Sequence, residues 1–316
     1  MRVFVTGGGG FLGSALARRL VARGDAVVAF DRSFDLLARD LAPSSQLITV
    51  PGDVTDADGL AAALHRHRPD AVIHCAAVVS VLSSIESPLN TVRINIEGAV
   101  NLFEAMRSSW VRRAIHISSE ETYGEFRAPV VDESHPLDPV MPYGMSKVAV
   151  EHLGRFYRDV HGLEVINLRT SWVYGPDLPR DRVPKTLIDA ALAGRSLHIP
   201  SGGDSAIDHT YVDDFVDGTL AALDCPRHPF DAYNLSSGTA PTLADVVAAV
   251  VEIVPGADVS IGPGVYRHGD RIPVPRKGAL DLRRARETFG YAPKFDIRAG
   301  LRAYAAAKAS RAGAAA

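Results

Sequence analysis

The chain opens Met1-Arg-Val-Phe-Val-Thr6-Gly7-Gly8-Gly9-Gly10-Phe11-Leu12-Gly13-Ser14, and this stretch decides the fold. The residues up to Thr6 read as a buried strand that runs straight into a glycine-rich turn and then into a helix pattern. Gly7, Gly10 and Gly13 carry the spacing G-x-x-G-x-x-G. Glycine is needed there because the backbone must turn sharply and approach a pyrophosphate with no Cβ in the way. The helix that follows would aim its unpaired N–H groups and positive dipole end at the same phosphates. A second strand, Val27-Val28-Ala29-Phe30-Asp31, ends in a carboxylate. At that distance from the glycines, Asp31 can accept hydrogen bonds from an adenosine ribose and repel a 2′-phosphate. The pattern is that of a dinucleotide-binding fold with NAD favoured over NADP. Arg32, beside Asp31, keeps NADP open.

Outward from this segment, short apolar runs alternate with helix-length amphipathic segments as far as Thr170. The runs are Val3–Thr6, Ala26–Asp31, Leu47–Val50, Ala71–Ala77, Arg113–Ser118 and Glu164–Thr170. Between them lie Leu12–Arg23, Asp56–Arg66, Asn90–Arg107 and Ser146–Val160. Near-continuous hydrophobicity is what parallel strands covered on both faces require. The alternation predicts an α/β fold over residues 1–172, a doubly wound parallel sheet of Rossmann type, with ligands at the carboxyl ends of its strands. Beyond it Pro176, Pro179, Pro184, Pro200, Pro226, Pro229 and Pro241 break the chain into shorter pieces. Within 173–316, Ala232–Ser237 is expected to return to the main sheet, followed by a helix over Leu243–Val254. The remainder reads as a smaller substrate-binding lobe.

The composition excludes several classes. With 316 residues, 47% hydrophobic and 22% charged, the chain can bury a large core. Its formal net charge of −3 is not blocked into runs, which argues against a dedicated nucleic-acid or membrane-surface protein. No apolar stretch approaches the roughly 18 residues a membrane span needs. No secretory leader precedes the first strand, so a cytoplasmic location is expected. Cys75 and Cys225 are far apart and outside any CxxC, which signals neither a disulfide framework nor a zinc site. His65 and His67 point apart on a helix, and His74 and His116 fall within strands, so no metal is expected.

The second strong signal is Tyr143-Gly-Met-Ser-Lys147. On a helix, positions i and i+4 share a face, so the phenol and the ammonium stand side by side. A neighbouring cation would favour tyrosinate and lower the tyrosine pKa. A tyrosine that exchanges a proton with a hydroxyl beside a nicotinamide can drive reversible alcohol oxidation. The strand Ala114-Ile-His-Ile-Ser118-Ser119 ends in hydroxyls at the ligand-binding edge. Ser119 is the better candidate to hydrogen-bond a reacting oxygen; the alternative for both serines is turn capping.

Taken together, Thr6 to Gly13, Asp53-Val54, His74-Cys-Ala-Ala77, Asn95-Ile-Glu-Gly98, Ser118-Ser119 with Tyr123-Gly124, Tyr143 with Lys147, and Arg169 with Val173-Tyr-Gly-Pro176 resemble the extended short-chain dehydrogenase/reductases. More narrowly the chain resembles the NAD-dependent sugar epimerase/dehydratase family, and Tyr211-Val-Asp-Asp214 and Gly290-Tyr-Ala-Pro293 also fit. The resemblance implies that Gly7, Gly10, Phe11 and Leu12 line the pyrophosphate and that Asp31 holds the adenosine ribose. It puts Asp53 and Val54 against adenine, with Ala76 and Ala77 beneath the cofactor. Tyr143 would be the general base, Lys147 would hold the nicotinamide ribose, and Ser119 would polarise the substrate oxygen. Val79, Glu120, Thr170, His209 and Arg267 are the candidate substrate contacts. The resemblance also implies a homodimer formed through the helices near Asn95–Arg107 and Ser146–Val160.

Two departures matter. Relatives acting on nucleotide sugars carry an arginine for the substrate pyrophosphate where this chain has Ile207, in Ile207-Asp-His-Thr-Tyr-Val-Asp-Asp214. An apolar side chain cannot supply charge-assisted bonds to phosphate. Arg267 stands where a second such arginine is found, and Arg180, Arg182 or Arg271 are further candidates. His209, beside the departure, is a candidate for an anionic substrate group. The second departure is Glu120-Glu121, where many epimerases have small residues; a carboxylate at Glu121 can abstract a proton α to a transient ketone. The expected activity is therefore transient oxidation of a nucleoside-diphosphate sugar, followed by epimerisation or dehydration. The alternative is net oxidation of a free sugar or sugar acid. A non-catalytic NAD sensor would not need Ser119, Tyr143 and Lys147 together.

Overall fold

The computed structural model describes residues 1–42, 44–269 and 272–315. In chain order the strands begin with β1 (Arg2–Thr6), β2 (Ala26–Asp31), β3 (Leu47–Pro51), β4 (Ala71–His74), β5 (Arg113–Ser119), the short β6 (Val130–Val131) and β7 (Glu164–Thr170). They continue with β8 (Leu197–Ile199), β9 (Ala232–Leu235), β10 (Val259–Ile261), β11 (Arg267–His268), β12 (Ile272–Pro273) and β13 (Ala279–Leu280). Seven of them form one parallel sheet in the order β3-β2-β1-β4-β5-β7-β9. The strand order reverses between β1 and β4, and the crevice at that switch point is where such sheets bind ligands.

The first helices are α1 (Phe11–Ala22), α2 (Asp35–Ala38), α3 (Ala57–His67), α4 (Val81–Glu86), α5 (Pro88–Val92), α6 (Gly98–Arg107) and α7 (Pro142–His161). The later ones are α8 (Lys185–Leu192), α9 (Val212–Asp224), α10 (Leu243–Ile253), α11 (Arg283–Phe289) and α12 (Ile297–Ala315). Strand side chains alternate between the two faces of the sheet. Val3, Val5, Val27, Ala29, Ile73 and Ile115 join one core with Leu16 and Leu20 of α1 and Phe215 of α9. Phe4, Val28, Val72 and Ala114 join the other with Leu60 of α3, Leu102 and Phe103 of α6 and Val150 of α7. Both faces are covered, so the strands read as unbroken apolar runs.

Three local differences from the sequence reading bear on the site. β4 stops at His74 rather than Ala77, because Cys75 and Ala76 leave the sheet to cross the glycine turn: a Cβ on Gly7, whose φ is +66°, would lie 2.7 Å from the Ala76 nitrogen. The segment Asn90–Arg107 is not one α-helix. A π-turn over Arg93–Glu97 separates α5 from α6 and directs Asn95 onto the Val78 backbone, accepting its N–H at 2.7 Å and donating to its carbonyl at 3.2 Å. Finally, α7 starts at Pro142, which lacks an N–H and is suited to a first turn, rather than at Ser146, so its first turn carries Tyr143 on the helix with Lys147 as the spacing required.

Past β7 the chain builds a smaller layer. β8 pairs with β10, and α10 packs against β10, α8 and α12, while β9 returns to the sheet beside β7. The chain then crosses back: β13 pairs with β6, the Ala279 N–H donates to the Pro129 carbonyl at 2.8 Å, and the Asp281 N–H donates to the Val131 carbonyl at 2.8 Å. That crossing carries Lys277 under the end of β5.

Candidate active site

A cleft of about 550 Å³ follows the carboxyl ends of the sheet strands. Gly7, Gly10, Phe11, Leu12, Asp31, Arg32, Asp53, Val54, Ala76 and Ala77 line one end, and Ser119, Glu120, Glu121, Tyr143, Lys147 and Thr170 line the other, with Val79 between. At the nucleotide end a Cβ on Gly13 would meet the Gly7 carbonyl at 2.0 Å, so only glycine permits this turn. Gly10, the residue capping α1, has no side chain to satisfy the first-turn N–H groups, which are left for a ligand. The Asp31 carboxylate accepts the Gly9 N–H at 3.0 Å and the Arg32 N–H at 2.7 Å, which fixes it at the tip of β2 facing the turn. The Thr55 N–H and hydroxyl hold the Asp53 carboxyl below the usual carboxylate range, and Arg32 reaches Asp53 at 3.9 Å. A glycine cradle, a helix terminus without a side-chain cap and a fixed carboxylate lining the same end of the cleft fit a dinucleotide.

At the reacting end, the Lys147 ammonium donates to the Ile117 carbonyl at 2.7 Å and lies 3.4 Å from the His116 Nε2. It stands 5.9 Å from the centre of the Tyr143 ring. Burial lowers its pKa to about 8. Burial raises that of Tyr143 above the usual phenol value, and the strongest group acting the other way is the Arg180 guanidinium, followed by the Ser119 hydroxyl. The expectation that Lys147 would depress the tyrosine pKa is thus corrected: a same-face spacing does not aim the ammonium at the phenol oxygen when a buried carbonyl competes for it. Ser118 turns away and donates to Glu151 at 2.6 Å, and Glu151 is fixed by a buried bidentate pair with Arg169. Ser119 faces the cleft and also accepts the Glu121 N–H at 3.2 Å, so binding and capping roles coincide in one hydroxyl.

His74 and His116 are buried within β4 and β5 and do not line the cleft. His74 meets the Thr6 hydroxyl at 2.7 Å and His116 meets the Asn167 side chain at 2.9 Å; burial lowers both pKa values, to about 3 for His74, so both rings are neutral. Among the described residues no three His, Cys, Asp or Glu side chains converge on a metal position.

The acidic pair has a partner that the sequence reading missed. Lys277, almost wholly buried, lies 3.4 Å from Glu120 and 3.3 Å from Glu121 and donates to the Gly124 carbonyl at 3.2 Å. Burial raises the Glu120 pKa to about 7. The same burial acts on Glu121, but Lys277 and Arg182 more than reverse it and hold that carboxyl below its ordinary value. The pair is therefore differentiated, with burial pushing Glu120 toward its protonated form while Lys277 and Arg182 keep Glu121 ionised.

Two candidate substrate contacts lie elsewhere. His209 does not line the cleft; it is buried edge-on against Trp172 and Tyr174, and burial lowers its pKa to about 3, so it carries no charge for an anion. Arg267 sits exposed on β11, outside the cleft lining. Arg271 lies outside the described residues. Ile207 is fully buried in the core, its N–H donating to the Pro241 carbonyl at 3.1 Å. Besides Arg32 at the nucleotide end, the arginines that line the cleft are Arg180 and Arg182.

Comparison with known proteins accounts for this arrangement. The model of the NAD dependent epimerase/dehydratase family matches residues 3–236. The chain is 32% identical over 308 residues to a UDP-glucose 4-epimerase of Mycolicibacterium smegmatis, covering 95% of this chain and 96% of that one. It is 30% identical over 332 residues to dTDP-glucose 4,6-dehydratase 1 of Escherichia coli, covering 96% and 91%. Its fold superposes on the crystal structure of a Thermotoga maritima UDP-glucose 4-epimerase with UDP-glucose at a TM-score of 0.88 and 28% identity, over 99% of this chain and all of the other. The chain belongs to the NAD-dependent epimerase/dehydratase family of extended short-chain dehydrogenase/reductases.

Proposed function

We propose that the protein transiently oxidises a hydroxyl of a nucleoside-diphosphate sugar and returns the hydride after epimerisation or elimination. The observation that carries this reading is the convergence of Ser119, Tyr143, Lys147 and an ionised Glu121 on the cleft that begins at the glycine turn. NAD, held by Gly7, Gly10, Phe11, Leu12, Asp31, Asp53 and Val54 above Ala76 and Ala77, supplies the hydride acceptor and donor. Ser119 donates to the reacting oxygen while Tyr143 takes its proton. Arg180 makes that phenol easier to ionise against the effect of its burial. Lys147, at a pKa near 8, is placed to hold a ribose hydroxyl and to exchange a proton with the tyrosine. Elimination uses both glutamates: Glu121 abstracts the proton α to the transient ketone, and Glu120, titrating near neutrality, protonates the departing hydroxyl.

Residues 1–172 contribute the cofactor contacts, and the later half closes the substrate end. A homodimer is supported by an exposed apolar stripe of Met145, Phe156 and Val160 on α7 beside Leu89 and Val92 on α5. The free cysteines, and the absence of any described helix long and apolar enough to cross a membrane, are compatible with a cytoplasmic enzyme. The burial of Ile207 favours one second reading, net oxidation of a free sugar acid. Absorbance at 340 nm with product analysis on UDP- and dTDP-sugars and free sugar acids separates the two. An isomerised or dehydrated nucleotide sugar without net NADH supports the proposal; continuing NADH release from a free acid overturns it.

A further inference from the structure

Arg180 and Arg182 are the unexplained charges of the cleft. Among the described residues neither guanidinium lies within ion-pair distance of a carboxylate. Arg180 donates to the Val79 carbonyl at 2.5 Å, and its Nε is buried without a partner. Arg182 stacks on Trp172 with the guanidinium carbon 3.6 Å from the ring centre. That stacking fixes its plane and leaves its edge N–H groups to the cleft. Burial lowers both pKa values, Arg182 to about 10, and the attraction of Glu121 and Glu120 offsets this only in part at Arg182. The two glutamates attract Arg182 only at a distance, because Lys277 already lies 3.4 Å from Glu120 and 3.3 Å from Glu121, and Asp181, between the two arginines, pairs with Lys185 at 3.2 Å.

The position of the pair decides which part of a substrate it meets. Arg180 is the charge that acts most strongly on Tyr143, and Arg182 acts on Glu120 and Glu121, so both stand at the reacting end. Ile207, at the position where the family resemblance implies an arginine for a pyrophosphate, is buried in the core and does not line the cleft.

We infer that Arg180 and Arg182 form an anion subsite for a carboxylate on the reacting sugar, so that the substrate is a sugar acid rather than a neutral hexose. The inference rests on the proposed sugar chemistry at Tyr143 but not on whether the sugar is nucleotide-linked. A planar carboxylate suits the guanidinium fork and brings a negative charge to the pair. It would seat against Trp172 and leave the neighbouring hydroxyl facing Ser119 and Tyr143.

The test compares acid with neutral partner in two pairs, UDP-glucuronic acid with UDP-glucose and free glucuronate with glucose. UDP, dTDP and glucose 6-phosphate are added as anions without the carboxylate. Dissociation constants are read from Trp172 fluorescence, with Trp110→Phe as background to remove the second tryptophan, and kcat/KM from product analysis. The acid is expected to bind roughly 10- to 100-fold better than its neutral partner in at least one pair. Arg180→Gln and Arg182→Gln each reduce that ratio by about 10-fold, and Arg182→Lys, which keeps the charge but not the fork, by less. Thermal melts establish that each variant is folded. An acid-to-neutral ratio near one, or variants that weaken UDP or dTDP alone as much as the acid, overturns the inference and assigns the pair to a phosphate. If glucose 6-phosphate binds as well as the acid in wild type, the carboxylate is likewise refuted. Acid preference with accumulating NADH and no altered nucleotide sugar would retain the subsite and overturn the proposed recycling reaction instead.

Discussion

Removal of the Lys277 ammonium, by Lys277→Met, tests the electrostatics of the acidic pair directly. Methionine is of similar length and apolar, so packing against Phe126 is largely kept while the charge is lost. Two buried carboxylates are then left facing each other with no cation between them, a situation that destabilises a fold by about 3–5 kcal/mol when both must ionise. The penalty applies only to the charged forms, so it depends on pH. In the wild type Glu120 already titrates near 7 against about 4.5 for an unfolded glutamate, whereas Glu121 is held low. In the variant both folded values lie above the unfolded ones. Between those limits the folded state binds more protons than the unfolded state, so stability falls as pH rises and levels off above the folded pKa values. Urea unfolding at about pH 8 should show the full loss, and at about pH 5, where the folded pair is mostly neutral, little more than the lost Gly124 bond. The acid limb of kcat should also move upward, because the base at Glu121 is now protonated at neutral pH. A loss of stability equal at the two pH values, together with an unmoved pH profile, would mean that Lys277 only fills space.

Three other perturbations address the remaining parts of the site. Tyr143→Phe removes the proton carrier and is expected to reduce kcat by about 10²- to 10⁴-fold while NAD still binds, as read by product formation and a cofactor titration. Asp31→Ala should weaken NAD binding by about 10-fold and narrow its advantage over NADP, measured as the ratio of the two dissociation constants; an unchanged ratio would remove Asp31 from the ribose site. Ile207→Arg, which introduces the arginine the family resemblance implies at this position, should lower stability by about 3 kcal/mol or more without tightening UDP or dTDP binding. Its side chain enters a fully buried core and not the cleft.

The parts of this molecule that were legible in its sequence are those set by local geometry. A strand, a turn that excludes Cβ atoms and a helix terminus occupy consecutive residues, so the cradle from Val3 to Ser14 could be read before any tertiary contact was known. The same holds for Asp31 at the tip of β2, for Ser119 at the end of β5 and for the one-turn spacing of Tyr143 and Lys147. The misjudged details are also local, and each has a tertiary cause. β4 ends early because the glycine turn presses on Ala76, and the helix near Asn95 carries a π-turn because its amide is held by Val78 and Ser146.

What could not be read is the chemistry that depends on where the chain returns. Lys277 meets Glu121 across 156 residues, and no spacing rule links them; only the pairing of β13 with β6 brings them together. An isolated glutamate pair reads as a solvated face, and the same pair with a buried lysine becomes two carboxyls of different pKa. Position 207 illustrates the converse. The family resemblance made its apolar residue conspicuous as a missing ligand, but burial shows that Ile207 is a core residue, and neither His209 nor Arg267 lines the cleft. Arg180 and Arg182, which the sequence offered among the candidates, do line the cleft, but the prolines of the loop after β7 gave no periodicity from which to place them. Arg180 in that loop, not Lys147 on the shared helix face, exerts the strongest downward pull on the Tyr143 pKa. The proposed general base is therefore positioned by one element and tuned by another, and a substrate anion bound at Arg180 would change the ionisation of Tyr143.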